Sequence, residues 1–322
     1  MHTNTDFVPT NPLATPLNGM LAVNELTINW HVTEACNYRC HYCYAKWKDA
    51  PSSRELFHDP DRTRDLLGEL FDYFQPTNNS NPLSRQITWK GLRLNLAGGE
   101  PSILGDRLIE IAQTAREIGF QLSIISNGAR LSKDALTELA PHLTCLGISL
   151  DSTDTNSNQR IGRTTRKGEH LDLAELLANI ELARRINPQL TIKLNTVVNL
   201  LNAKEDLSEF VTELRPDRWK VLRVLPVIDD SLAISDDQFS DYVERHRSFE
   251  SLQCVEDNTD TRESYLMVDP FGRFFQNQLS PDGGYQYSQP ILSVGAHAAF
   301  SEMAFNPSRY HSRYSKEAGG TL

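Results

Sequence analysis

The chain has 322 residues, 39% of them hydrophobic and 23% charged, which is length enough for one large α/β barrel or two smaller domains and excludes a wholly disordered polymer. A formal net charge of −10 argues against a general nucleic-acid-binding surface, although an acidic total leaves room for a local basic pocket. No run approaches the ~18 apolar residues of a membrane-spanning helix, and the opening MHTNTDFVPTNPLATPLNGM has neither a basic start nor an apolar stretch of signal length.

Residues 1–20, broken by prolines, read as a flexible arm and not as a basic amphipathic anchor. A cytoplasmic protein is expected. Its 5 cysteines are odd in number and reduced there, so no disulfide framework is expected.

From about Leu26, strand-like and helix-like segments alternate. TINWHVT (27–33) sets Ile28, Trp30 and Val32 on one face, the period of a half-buried strand, and ACNYRCHYCYA (35–45) follows directly. LRLNLA (92–97) ends in Gly98-Gly99-Glu100-Pro101, after which LIEIAQTAREIGF (108–120) has helical spacing closed by Gly119. QLSIIS (121–126) runs into Ser126-Asn127-Gly128 and a helix near Lys133–Leu139. CLGISLD (145–151) precedes a helix at His170–Ile186. LTIKLNTVV (190–198) and RWKVLRVLPV (218–227) complete the strands, with helices near Lys204–Leu214 and Asp236–Phe249.

Six strand–helix units predict an α/β fold, a partial (β/α)6 TIM-like barrel open on one side, over residues 21–250. After Glu250 the rhythm stops. SYLMVDPFGRFFQ (264–276) reads as a hairpin turning at Pro270-Phe271-Gly272. It lies in a loop-rich C-terminal extension, 251–322, expected to close the active site. The cysteines, Gly98-Gly99-Glu100-Pro101, Ser126-Asn127-Gly128 and Asp151 each follow a strand, at the edge where parallel β/α folds gather their chemistry.

Cys36, Cys40 and Cys43 form CxxxCxxC with no fourth cysteine nearby; Cys145 and Cys254 stand alone and read as buried, hydrophobe-like residues. A structural zinc site wants four ligands, which His31 or His41 would have to complete. An ordinary ferredoxin cluster also takes four thiolates. Three thiolates around a cubane cluster leave one iron open to a ligand that is to react. Taken alone, the trio leaves both a cluster and a zinc-stabilised, non-catalytic interaction module open. Likewise Gly98-Gly99-Glu100-Pro101 alone is a strand-to-helix turn, Ser126-Asn127 alone is a turn, and Asp151 is equally a helix cap.

The cysteine spacing, with Tyr42 before the last cysteine, resembles the signature of the radical S-adenosylmethionine (SAM) superfamily. The resemblance implies a [4Fe–4S] cluster on Cys36, Cys40 and Cys43 whose open iron chelates the amino and carboxylate groups of SAM. One electron then cleaves the sulfonium to methionine and a 5′-deoxyadenosyl radical. It implies cofactor contacts from Tyr42, from Gly98, Gly99 and Glu100 at the SAM ammonium, from Ser126 and Asn127 at its carboxylate or ribose, and from Asp151.

Over nearly all of residues 26–300 the chain resembles a narrower group, the viperin family. The resemblance is carried by ACNYRCHYCYA, NLAGGEP, ISNGARL, ISLDSTDTNSNQRIGR, KLNTVVN, RPDRWKV and SYLMVDPFGRF. The amphipathic membrane helix of animal viperins has no counterpart here, so a soluble, prokaryote-type relative is expected. The family implies removal of hydrogen from C4′ of a ribonucleoside triphosphate (CTP, GTP or UTP). Loss of the 3′-hydroxyl as water, with one further electron and a proton, gives the 3′-deoxy-3′,4′-didehydro nucleotide, a terminator of viral RNA synthesis. A flavodoxin- or ferredoxin-type reductase would supply the electron; no nucleic-acid or membrane partner is expected.

A triphosphate carries roughly three to four negative charges, which Arg and Lys hold best. Basic residues inside a parallel β-run are seldom surface charges, since such strands are buried on both faces. Arg93 and Asn95 share a face of the second strand, and Lys193 and Asn195 share a face of the fifth that is expected to point into the barrel. Lys220 and Leu222 share a face of the sixth, with Val221 and Arg223 opposite. The substrate candidates are therefore Arg93, Asn95, Arg163, Lys193, Asn195 and Lys220, with Arg163 in the loop GRTTRKG expected over the phosphates. Lys193 and Tyr310 join the cysteines as catalytic candidates, Tyr310 with Tyr314 in a lid that excludes water. No GxxxxGK[ST] loop is present, which excludes the usual ATPase route. A rival within the superfamily is a maturase of peptide or RNA. Beyond Cys145 only Cys254 is available for auxiliary clusters, and the net charge disfavours RNA.

Overall fold

A computed structural model describes residues 20–43, 50–226, 230–258, 263–277 and 285–318. Of the expected arm at 1–20, residues 1–19 lie outside them. Six strands follow in chain order: β1 (Glu25–His31), β2 (Gly91–Ala97), β3 (Gln121–Ser126), β4 (Cys145–Ser149), β5 (Thr191–Val198) and β6 (Arg218–Arg223). Each is hydrogen-bonded in parallel to the next. The crossovers carry α1 (Pro60–Phe74), α2 (Asp106–Ile118), α3 (Lys133–Leu139), α4 (Thr155–Ile161), α5 (Leu173–Ile186) and α6 (Ser208–Leu214), and α7 (Asp236–Arg245) follows β6. Helix α1 completes the first unit, for which the sequence pattern names no helix.

Helix ends follow local chemistry. The Asp59 side chain accepts from the backbone of Asp61 and Arg62, with Pro60 in the first turn. Gly119 ends α2 at φ 121°, a conformation that side-chain-bearing residues rarely adopt. Asp172 caps α5 by accepting from Glu175 N, which moves the start from the expected His170 to Leu173. Ser235 and Gln238 make a reciprocal capping box on α7.

Alternation along the strands separates two surfaces. On β1, Leu26, Ile28 and Trp30 are fully buried, whereas Thr27, Asn29 and His31 line an internal cavity. The period that suggests one wet face thus reports a polar interior: both faces are buried. On β5, Ile192 and Leu194 pack in the core while Lys193 and Asn195 line the cavity, as the shared-face argument predicts. The inward polar groups satisfy one another. Asn95 Nδ2 donates to Asn29 Oδ1 at 2.8 Å, and Ser123 Oγ donates to Asn95 Oδ1 at 2.8 Å.

The extension adds strands to the sheet. Its β7 (Gln253–Glu256) pairs in parallel with β6, and its β8 (Leu266–Val268) pairs in parallel with β1. Both flanks of the six-stranded core are therefore extended by residues after Glu250. The antiparallel β9 (Arg273–Asn277) and β10 (Tyr285–Pro290) follow, and the β8–β9 hairpin turns at Pro270-Phe271-Gly272 as predicted. The sheet does not close; among the described residues β7 and β10 are its edges.

Short helices α8 (Ile291–Val294) and α9 (Ala296–Ser301) lead to α10 (Pro307–Ala318), which contacts Leu21–Ala22 beside the N-terminal ends of the strands. Tyr310 on α10 is fully buried, and its hydroxyl accepts from Thr27 N at 2.6 Å. It fills the seam below the point where β8 begins to pair with β1 at Ile28. This corrects the expectation of Tyr310 as a catalytic group: it is absent from the cavity wall, whereas Tyr314 reaches it.

Candidate active site

The chain leaves β1 into the cysteine loop, whose base is tied down on several sides. Thr33 Oγ1 donates to Glu55 Oε2 at 2.8 Å and Glu34 N to Glu55 Oε1 at 3.0 Å, so the buried Glu55, which nothing in the sequence pattern singles out, anchors the entry. Gly99 N donates to Thr33 O and Glu100 N to Ala35 O, both at 2.8 Å. A Cβ on Gly99 would stand 1.8 Å from the Ala35 carbonyl oxygen, so only glycine permits this approach. On the far side Arg39 N donates to Gly162 O at 3.0 Å and His41 N to Ile161 O at 2.9 Å, clamping the loop to the end of α4.

Cys36, Cys40 and Cys43 all line one cavity of about 1190 Å³. Burial pushes the Cys36 and Cys40 thiols up to about 12, so thiolate ligation there needs the positive charge of bound metal. Among the described residues, no three His, Cys, Asp or Glu side chains converge tightly enough to grip a single ion. Tyr38 lines the same cavity, and its buried hydroxyl has no hydrogen-bond partner among the described residues. An orphaned buried hydroxyl beside three cysteines fits a site that receives a polar group from outside the chain.

Two buried networks support this end. Glu100 Oε1 accepts from Ser102 Oγ at 2.6 Å and Ser126 Oγ at 2.7 Å, and Oε2 accepts from Asn127 N at 2.6 Å. Asn127 Nδ2 donates to Asn37 Oδ1 at 2.8 Å, reaching the cysteine loop. Gly98, Gly99, Glu100, Ser126 and Asn127 are thus brought together under the loop, all on the cavity wall. In the second network Asp151 Oδ1 accepts from Val197 N at 3.0 Å, and Oδ2 accepts from the Tyr42 hydroxyl at 2.5 Å and lies 3.4 Å from Arg163 Nη1. Burial, then the Asp151 carboxylate, hold the Tyr42 phenol well above its ordinary range, so it remains a donor. Burial opposes the Arg163 charge, but Asp151 together with Tyr42 and Cys40 outweighs it and holds the guanidinium charged. Arg163 also donates to the Ser149 carbonyl and lies 5.9 Å over the Tyr38 ring. Arg163 is therefore a brace behind the cysteine loop and not part of a flap over phosphates, a correction that follows from its buried pairing with Asp151.

The other basic candidates occupy the opposite end of the same cavity. Arg93 and Lys193 are third in β2 and β5, and Arg218 and Lys220 are first and third in β6. Four strand residues separate Arg93 from the C-terminal end of β2, roughly 13 Å at ~3.3 Å per residue. Arg93 Nε donates to Glu25 Oε2 at 2.6 Å, and the buried Lys220 is ion-paired with Glu256. Asn95 and Asn195 line the wall between the two ends. Arg223 turns aside to Asp236 at 2.7 Å and to the Ile234 carbonyl at 2.6 Å. Arg218 was not among the sequence candidates, although its spacing of two from Lys220 places both on one strand face.

Comparison with known proteins agrees with this arrangement. Residues 30–214 match the family model of the radical SAM superfamily. The S-adenosylmethionine-dependent nucleotide dehydratase of Pseudoalteromonas ulvae is 43% identical over 295 residues, covering 92% of this chain and 94% of that one. That of Psychrobacter lutiphocae is 40% identical over 296 residues, covering 92% and 97%.

The chain belongs to the viperin family of the radical SAM superfamily.

A vertebrate viperin relative, the S-adenosylmethionine-dependent nucleotide dehydratase of Oncorhynchus mykiss, is 30% identical over 307 residues, covering 90% of this chain and 79% of its own. In fold, the chain resembles the solved structure of native anSMEcpe with bound AdoMet, with a TM-score of 0.61, 12% identity, and coverage of 90% and 82%. The superfamily match ends at Leu214. Lys220, Glu256 and α10 lie beyond it.

Proposed function

We infer that the protein is a radical SAM nucleotide dehydratase, converting CTP, GTP or UTP to the 3′-deoxy-3′,4′-didehydro nucleotide. The observation that carries this reading is a single cavity with three cysteines at one end and Arg93, Lys193, Arg218 and Lys220 at the other. Supporting it are the named dehydratase relatives, whose likeness covers more than nine-tenths of this chain.

Cys36, Cys40 and Cys43 would hold a [4Fe–4S] cluster, and the wall formed by Gly98, Gly99, Ser126 and Asn127, with Tyr38, would face SAM. When bound, that pair supplies a 5′-deoxyadenosyl radical for hydrogen-atom abstraction at C4′ of the ribose. The basic end binds the polyphosphate by charge-assisted contacts and so fixes the ribose toward the cysteine end. Asn95 and Asn195 stand between and are placed to orient the sugar. Apolar walls and the α10 floor limit water. Across the whole reaction the ribose loses one hydrogen atom and its 3′-hydroxyl, the latter as water with one proton, and gains one electron from a flavodoxin- or ferredoxin-type donor. A product without a 3′-hydroxyl ends RNA chains, which supports a role in antiviral defence.

The test incubates reduced, iron–sulfur-loaded protein with SAM and each of the four ribonucleoside triphosphates. Mass spectrometry should find at least one nucleotide that loses the elements of water while 5′-deoxyadenosine accumulates. If none changes while deoxyadenosine forms, the nucleotide assignment is wrong.

A further inference from the structure

The three cysteines are delivered by two separately anchored parts of the loop. Arg39 N and His41 N donate to the carbonyls of Gly162 and Ile161, which ties the Cys40 and Cys43 side to the end of α4. Cys43 N donates to Cys40 O at 3.0 Å, so these two residues share one tight turn. Cys36 stands outside that turn and is delivered by residues 33–35, of which Thr33 and Ala35 are fully buried. The carboxylate of Glu55, beyond the loop in sequence, holds this segment. Oε1 accepts from Glu34 N at 3.0 Å and Oε2 from Thr33 Oγ1 at 2.8 Å, and Thr33 Oγ1 in turn accepts from Ala35 N at 3.0 Å. The hydrogen-bond chain ends one residue before Cys36.

Glu55 is itself held from three directions. Leu56 N donates to Pro270 O of the hairpin turn at 2.9 Å, and Thr63 Oγ1 of α1 donates to Leu56 O at 3.1 Å. Arg107 Nη2 of α2 donates to Phe57 O at 2.6 Å. Glu55 is buried, so water does not compete strongly for its bonds. Without the carboxylate, the Thr33 hydroxyl and the Glu34 N–H lose their partner away from solvent. That loss is costly, so the segment shifts to find other partners, and Cys36 shifts with it.

We propose that Glu55 is a positioning residue for the iron–sulfur cluster: by fixing residues 33–35 it sets where the Cys36 thiolate stands relative to Cys40 and Cys43, and so how firmly the three-cysteine site keeps its iron. The inference rests on the cluster reading above. Glu55 acts through Thr33 and Glu34, as outer partners of metal ligands do when they hold a ligand in its orientation. Its effect belongs to the tie and not to the carboxylate charge. A side chain of the same length that keeps a partner for both groups therefore keeps the site.

The experiment follows anaerobic release of iron from the loaded full chain to a ferrous-iron chelator, with urea unfolding of each iron-free form. Glu55→Ala and Thr33→Val speed release by about tenfold or more. Glu55→Gln stays within about threefold of the unaltered protein, because its amide oxygen accepts from Glu34 N and its N–H donates to Thr33 Oγ1. Thr33→Ser, which keeps the hydroxyl, does the same. Tyr310→Phe, which removes a buried acceptor at the opposite end of the strands, serves as the destabilised control and leaves the release rate within about twofold. If Glu55→Ala lowers the urea midpoint but speeds release no more than Tyr310→Phe, Glu55 is a structural tie only and the proposal is overturned. Equal acceleration by Glu55→Gln and Glu55→Ala overturns it too. Should Glu55→Ala not fold, the Thr33 pair decides by the same thresholds. If the unaltered protein retains no iron, the cluster reading itself fails, an outcome distinct from these.

Discussion

His31 closes β1 with its ring edge-on to Phe275, centroids 5.0 Å apart at 81°, and burial holds its pKa down at about 4, against an ordinary 6.5. The folded state therefore keeps His31 neutral where the unfolded chain protonates it. Stability from this group is fully present above pH ~6.5 and is lost as pH falls toward ~4, about 3 kcal/mol over that window. Urea unfolding across this range should show a steeper acid loss for the unaltered protein than for His31→Gln; parallel curves would refute the assignment. Asp151 and Arg163 give a second residue-level test. Arg163→Met leaves a buried carboxylate without its cation, a loss of about 3–5 kcal/mol. Adding Asp151→Asn should restore much of it, so a double-mutant cycle by chemical denaturation should report strong coupling, not additivity. The pairing itself was hidden in the sequence. Twelve positions and a helix separate the two residues, and a basic side chain in a Gly-containing loop looks the same whether it faces phosphate or a buried acid.

At the scale of elements, the six strands were legible because alternation survives in each, as in Ile28 and Trp30 against Thr27, Asn29 and His31. The flanking β7 was not, and β8 was legible only as an arm of the 264–276 hairpin, not as a parallel neighbour of β1. They have 4 and 3 residues, too short to show a period, and what makes them strands is the unpaired edges of β6 and β1. The same local blindness hid the role of α10, whose two tyrosines suggested a lid. Tyr310 instead donates packing and an acceptor to the seam at Thr27. Tyr310→Phe removes that acceptor from a buried N–H and should cost about 1–3 kcal/mol of stability. Turnover per folded molecule should stay within twofold. A large loss of kcat at unchanged stability would return Tyr310 to the chemistry.

Across the whole molecule, the decisive feature is that one cavity has two chemically different ends set apart along the strands. The cysteine end was readable from its spacing taken together with the family resemblance. Its opposite was readable only as residues: strand parity put Lys193 and Asn195 on one face and Lys220 opposite Arg223, with the family resemblance favouring Lys220, but their depth came from register, since Lys193 pairs with Arg218 and Asn195 with Lys220 near the strand starts. Separation of the ends makes their contributions separable. Lys193→Met deletes one charge-assisted contact, worth about 1.5–3 kcal/mol, and should weaken nucleotide triphosphate binding tenfold or more while SAM binding holds. Cys40→Ala should do the reverse, lowering bound iron well below about four per chain while the iron-free protein still binds nucleotide. Isothermal titration of both variants with both ligands decides it. If Lys193→Met weakens SAM as much as nucleotide, the two ends are energetically one site, and a substrate stretched between phosphate floor and cysteine loop is no longer required to explain the fold. If the losses stay apart, the barrel acts as a ruler, in which the distance along the strands selects which carbon of the ribose meets the cysteine end.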